Sequence, residues 1–162
     1  MRVLSNDEIE RIRPPPVEVA DVDAHILLPQ LLTLKSVAER LKSLSSFMTI
    51  AANMRGDFTL GVRTESVEVM THYRDLINPE VNQQEGEEKL ASAMRDPSVM
   101  VEVKVDVKDF LRFLHCHHVH PINVVCCLVQ DVAVVVYVYM KSPRSPNSNL
   151  GVLTYYIPAV LR

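Results

Sequence analysis

The run His115-Cys116-His117-His118-Val119-His120 packs four imidazoles and one thiol into six positions. Those are good zinc ligands, but a structural zinc site needs groups converging tetrahedrally on one point. Consecutive residues at a helix end fan outward instead, and no second ligand cluster stands elsewhere in the sequence. The run therefore reads first as structural or surface, with a stand-alone binding module holding a metal at His/Cys residues 115–120 as the alternative. His115 and His118 are also placed to approach an anion, because imidazole gains charge near neutral pH. Nucleophilic chemistry has less support. Cys116 beside His117 does not make a dyad, since sequence neighbours rarely present the required hydrogen bond, and Cys126 and Cys127 sit in an apolar run that reads as core. Four scattered glycines supply no phosphate-cradling loop. The expectation is a protein that is not an enzyme and carries no cofactor.

A second set of residues has a clearer chemistry. Lys35, Arg40, Lys42, Lys108 and Arg112, with His115, fall on the polar faces of two helical segments. Singly, such cations are ordinary solvated groups, and Glu39 has the spacing to pair with Lys35 or Lys42. On two helices lying side by side they form a shared basic face. Such a face contacts phosphates without reading bases, giving weak, salt-sensitive binding.

The elements that must position these residues occur twice in the same order. Each copy is a strand, an amphipathic helix, then three strands, over 21–76 and 99–158. In the first, Val22, Ala24 and Ile26 alternate with Asp21, Asp23 and His25. Leu34, Val37, Ala38, Leu41 and Leu44 then recur at spacings of three and four, the stripe of a helix. Strands follow over 47–53, at Phe58, Leu60 and Val62, and over 66–74, with Met54-Arg55-Gly56-Asp57 as a turn between the first two. In the second copy Val99, Val101, Val103 and Val105 alternate with polar residues, and Asp106 is an N-cap for a helix bearing Val107, Phe110, Leu111 and Leu114. Strands over 122–130, 133–141 and 151–157 complete it, with a Ser/Pro/Asn loop, 142–149, before the last. Ahead of both copies lie a short strand at 2–4, a weak helical segment from Asn6 through Ile12, and the stiff Pro14-Pro15-Pro16. Residues 80–97 are polar, acidic and non-periodic, and read as a flexible loop. Two such units pair their sheets and set both helices on one side, an α+β architecture.

Composition fits that picture. A chain of 162 residues, 48% hydrophobic and 23% charged, makes one domain with a substantial core. The formal charge of −3 argues against a generally basic nucleic-acid binder but allows a local basic face. Three cysteines are an odd set, and the adjacent pair would point to opposite faces of a strand, which speaks against a disulfide and for a reducing compartment. The amino terminus lacks the apolar core of a signal peptide. The most apolar stretch, 122–140, contains Asn123, Gln130 and Asp131 and is rich in β-branched residues, favouring two strands over a membrane span. An intracellular, soluble protein is expected.

The segment LPQLLTLKSVAERLKSLSSFMTIAANMRGDFTLGVRTESVEVMTHYRDLINP resembles the carboxy-terminal domain of the Hus-one checkpoint clamp family. VEVKVDVKDFLRFLHCHHVHP and LTYYIPAVL match the same family in the same order, so the likeness covers nearly the whole chain apart from the acidic and Ser/Pro/Asn loops. AANMRGD, THYRDLINP and the YYIPA ending make it more specific than a general likeness to proliferating-cell nuclear antigen. The resemblance implies a DNA-clamp (processivity-fold) domain over 1–162. It also implies a subunit of the heterotrimeric nine-one-one ring, with Rad-nine-type and Rad-one-type partners and a clamp loader. Such a ring encircles double-stranded DNA non-specifically in the nucleus, with the cytoplasm as a second location, and supports checkpoint signalling and DNA repair. In such clamps the helices line the channel, which agrees with the basic faces at Lys35, Arg40, Lys42, Lys108, Arg112 and His115. The strand over 66–74, with Val67, Val69, Met70, Thr71, His72 and Tyr73, would be the edge that pairs with a neighbouring subunit. The family has neutral residues in place of His115, Cys116, His117 and His118. Clamp subunits of this kind have two such domains, and this sequence matches only the second, so closure of a ring by this chain alone is not expected.

Overall fold

The computed structural model describes residues 21–80, 95–142 and 145–161, with the backbone alone at 142 and 145–150. The expected strand at 2–4, the helical segment through Ile12, the three prolines and residues 81–94 of the acidic loop lie outside the described residues.

Among the described residues, two four-stranded antiparallel sheets and two α-helices make the fold. The chain runs β1 (Ala24–Leu27), α1 (Leu31–Lys42), β2 (Phe47–Ala52), β3 (Phe58–Arg63), β4 (Glu68–Tyr73), β5 (Val101–Asp106), α2 (Val107–Leu114), a 3₁₀ turn (His115–Val119), β6 (Asn123–Val129), β7 (Ala133–Ser142) and β8 (Ser145–Pro158). The two repeats exchange their first strands. One sheet has the order β1-β6-β7-β8 and the other β4-β3-β2-β5. Thus Ile26 of the first repeat pairs with Cys126 of the second, and Ile50 with Val103. Neither repeat has a complete sheet without the other.

One core runs between the sheets and the helices. It takes Leu34, Ala38 and Leu41 from α1, Phe110, Phe113 and Leu114 from α2, and Phe58, Leu60 and Val62 from β3. Phe113 sits between Phe110 and Tyr155, with ring centroids 5.6 and 5.5 Å away, which ties α2 to β8. The β1-β6-β7-β8 sheet buries residues on both faces. Cys126 and Val136 enter the main core while Cys127, Val129 and Val135 join Val22 in a second cluster. Burial on both faces explains the unbroken apolar runs of β6 and β7. The stretch 122–140 is this hairpin, and among the described residues no helix is long and apolar enough to cross a membrane.

Three expectations need correction. Helix α1 ends at Lys42, so Leu44 leaves the apolar stripe and is 45% exposed. Its end is set by Ser43, whose backbone N–H and hydroxyl both donate to the Arg40 carbonyl, at 3.2 and 2.6 Å. The Ser/Pro/Asn segment is mostly strand: β7 runs to Ser142, β8 starts at Ser145, and Lys141 pairs with Asn149 across a register shift. Pro146 is accommodated because β8 is an edge strand, where a missing ladder donor is tolerated. The strand expected over 66–74 is shorter, because Thr64 and Val67 close a turn. The Thr64 N–H donates to the Val67 carbonyl at 2.8 Å, and Val67 N–H donates to the Thr64 hydroxyl at 3.0 Å.

Candidate nucleic-acid interface

Each helix orients its cations by burying the opposite stripe. Leu31, Leu34, Ala38 and Leu41 face the core from α1, and Val107, Phe110, Phe113 and Leu114 from α2. The Asp106 carboxylate caps α2 by accepting from the Lys108 N–H at 2.7 Å, and Asp109 in the first turn complements the helix dipole. Between the packed helices lies a groove of about 330 Å³, lined by Lys35, Glu39, Lys42, Lys108, Leu111, Arg112 and His115. Arg40 is exposed on α1 but outside the groove lining.

The cations differ in how they are held. Arg112 Nη1 donates to the Asp109 carboxylate at 2.9 Å within α2. Among the described residues Glu39 makes no salt bridge to Lys35 or Lys42, and Lys108 makes none at all. Among the described residues the three lysines thus share their charge with no carboxylate, while Arg112 shares its own.

The histidine run lies where α2 ends. His117 Nδ1 donates to the Leu114 carbonyl at 2.8 Å, and His120 takes a left-handed backbone at φ 48° before Pro121. The His118 ring is tilted against His117, centroids 3.9 Å apart, and lies near-parallel to His115 at 6.4 Å. Its pKa is pushed below the ordinary imidazole value, first by His117, then by desolvation, Lys35, His115 and His120. Cys116 turns the other way into the core, where burial pushes its thiol up to about 11. The metal alternative at 115–120 is thereby corrected: the thiol and the imidazoles part company on the 3₁₀ turn. Among the described residues no three His, Cys, Asp or Glu side chains converge as ligands.

The candidate interface strand is an outer strand of its sheet. β4 pairs with β3 on one side, Gly61 opposite Met70 and Phe58 opposite Tyr73, and among the described residues has no partner strand on the other. Val69 is exposed, Thr71 and Tyr73 are half-buried, and His72 Nδ1 lies 3.2 Å from the Thr59 hydroxyl. Val67 belongs to the preceding turn rather than to the strand.

Sequence reasoning missed a polar clasp at the exit of β4. The Asn53 side chain accepts from the N–H groups of Arg55 and Asp57, at 2.9 and 3.0 Å, and donates to the Asp57 carboxylate at 2.8 Å. Asn78 Nδ2 donates to the carbonyls of His25 and Asn53, at 2.8 and 3.0 Å. His25 Nε2 donates to the Pro79 carbonyl at 2.8 Å, and burial drives its pKa down, against a smaller opposing pull from that bond. The clasp joins β1, the β2–β3 turn and the segment after β4. Its visible signal is the pair of motifs NMRGD and INP, whose meeting in space the sequence does not announce.

Residues 1–161 match the family described as Hus1-like protein. The chain belongs to the Hus1-like family. It is 35% identical to the Schizosaccharomyces pombe checkpoint protein hus1 over 159 residues, covering 97% of this chain and 54% of that protein. With the human checkpoint protein HUS1 the identity is 37% over 113 residues, 70% of this chain and 39% of the other. The Dictyostelium discoideum hus1 homolog is 29% identical over 160 residues, 99% of this chain and 52% of its own length. The chain thus spans about half the length of the curated relatives it matches. Among solved structures it is similar to the Helicobacter pylori β clamp, in the crystal structure bound to DNA ligase peptide and in complex with 5-chloroisatin. The TM-scores are 0.53 and 0.57 at 13% identity, over 94% and 98% of this chain and 32% and 37% of the clamp. That level of identity shows the fold alone, and the fold of this Hus1-like chain is that of a DNA clamp.

Proposed function

We propose that this chain is a clamp-domain portion of a nine-one-one checkpoint clamp subunit, acting without catalysis in the nucleus as one segment of a ring around duplex DNA. The ring supports checkpoint signalling and repair. Its other members are Rad-nine-type and Rad-one-type subunits, and a clamp loader places it on DNA. The observation that carries this reading is the groove between α1 and α2, where Lys35, Lys42, Lys108 and Arg112 converge in a protein of clamp fold and Hus1-like family. Cations spaced along two helices meet phosphates without selecting bases, which suits a sliding contact. The outer side of β4, unpaired among the described residues, supports assembly, since an edge strand offers ready backbone donors and acceptors to a neighbour.

Two measurements test it. Co-expressed with Rad-nine-type and Rad-one-type subunits, a two-domain form carrying this sequence should co-purify as a heterotrimer; its failure to do so overturns the assembly reading. In the same complex, Lys35→Glu, Lys42→Glu, Lys108→Glu and Arg112→Glu together should leave the thermal melt in place and weaken retention on DNA at low salt. Unaltered retention overturns the channel assignment.

A further inference from the structure

We propose that His115, His117 and His118, with Lys35 of α1, form a proton-gated phosphate site at one end of the helix groove. This rests on the reading of the groove as a DNA contact and adds a ligand atom and a control to it.

The geometry sets the argument. The His118 ring lies tilted against His117, centroids 3.9 Å apart, and near-parallel to His115 at 6.4 Å, while Lys35 of the neighbouring helix lines the groove with His115. His115 and His118 are exposed, and His115 also lines the groove. The His117 ring is fixed by its Nδ1 bond to the Leu114 carbonyl, which leaves Nε2 outside that bond. The surroundings offer little compensating charge. From α1 come Lys35, Lys42 and Glu39; from α2 come Lys108, Arg112 and Asp109, the last already engaged by Arg112; His120 follows in the chain. Asp75 lines the adjoining cleft with His117 and His120.

Rings held this close resist being charged together, and His118 shows it: its pKa is held down chiefly by His117, with Lys35, His115 and His120 adding to the effect. A phosphate oxygen reverses the balance. It accepts from protonated imidazole and from the Lys35 ammonium, and it screens the rings from one another. Binding and proton uptake therefore promote each other by linkage. The site thus sets imidazoles, the side chains able to gain charge near neutral pH, beside a lysine at the end of an existing basic groove.

The test is affinity of the 162-residue chain for a fluorescent duplex at low salt between pH 5.5 and 8, beside His115→Gln/His118→Gln. This variant keeps His117 and its structural bond, and a thermal melt checks its fold. The expected result is binding about tenfold tighter at pH 6 than at pH 7.5, with a steeper salt dependence at the lower pH, and less than about twofold change in the variant. Equal pH dependence in both proteins, or none in the parent, overturns the proposal and leaves the groove reading standing. If the parent binds no duplex at any pH, that reading falls, and titration with inorganic phosphate followed by imidazole NMR decides for the site alone. Phosphate-dependent shifts of His115 and His118 that grow as pH falls support it, and their absence overturns it too.

Discussion

The backbone N–H of Leu76 donates to the Gly56 carbonyl at 3.0 Å, and the same approach leaves no room for a side chain on Gly56, where a Cβ would run into the Leu76 carbonyl oxygen. Gly56 also takes φ of 86°, a backbone that L side chains rarely adopt. The β2–β3 turn and the exit from β4 are therefore fitted to one another through a residue that has to be glycine. Gly56→Ala should lower stability by roughly 1–3 kcal/mol, from the combined strain of the positive φ and the displaced Leu76 segment. Urea denaturation measures it, and an unchanged midpoint would show that the clasp opens without cost.

His25 gives the clasp a pH dependence with a definite sign. It is 5% exposed, its Nε2 proton is spent on Pro79, and its Nδ1 is buried without a partner among the described residues. A second proton would put charge where nothing accepts it, so the folded pKa lies below the unfolded value of about 6.5. Between the two values the unfolded chain holds more protons. The His25 contribution is whole above pH about 6.5 and is lost as pH falls through the folded pKa. Denaturation at several pH values should show the parent losing more stability than His25→Gln over that window. Parallel curves for the two proteins count against it.

All three cysteines are free and buried. Desolvation raises Cys116 to about 11, Cys127 to about 12 and Cys126 further still. At pH 8 a thiol of pKa 11 is about one-thousandth ionised, and burial blocks the reagent as well. A thiol-specific disulfide reagent should label none of them in the folded protein within minutes and all three after denaturation. Rapid labelling of Cys116 in the native state would mean that the 3₁₀ turn opens readily.

At the outer edge of the second sheet, Val69 is exposed on β4, with no strand beyond it among the described residues. Val69→Lys should change the stability of the isolated chain by no more than about 0.5 kcal/mol, because the side chain already meets solvent. In the two-domain form the same charge should break association with the neighbouring subunit, read by size-exclusion chromatography. Intact assembly with Lys at this position removes β4 from the interface.

Several elements were legible because their signals are local. The α1 stripe at Leu34, Ala38 and Leu41, the Asp106 cap and the alternation of Phe58, Leu60 and Val62 depend only on spacing along the chain. The clamp-family motifs were legible for another reason: AANMRGD and LINP carry Asn53, Gly56 and Asn78, residues whose types the clasp demands. Spacing also placed the groove residues on polar faces, yet it put Arg40 beside Lys42 without showing that only the latter lines the groove. The histidine run reads as structural or surface with a metal site as the alternative, an alternative that stays open in the sequence because residue order hides direction; the 3₁₀ turn closes it by sending Cys116 inward and its neighbours out.

By itself, then, the sequence determined the faces: which side of each helix is apolar, which is cationic, and where the two repeats begin. Only the tertiary structure decided the partners. It brought β1 beside β6 across about a hundred residues of chain and β5 beside β2 across about fifty, exchanging strands between repeats. It also buried His25 against Pro79 and set Lys35 in one groove with His115. Periodicity records how a residue sits on its own element, whereas a partner is chosen by packing and hydrogen bonding between segments whose separation along the chain leaves no periodic trace.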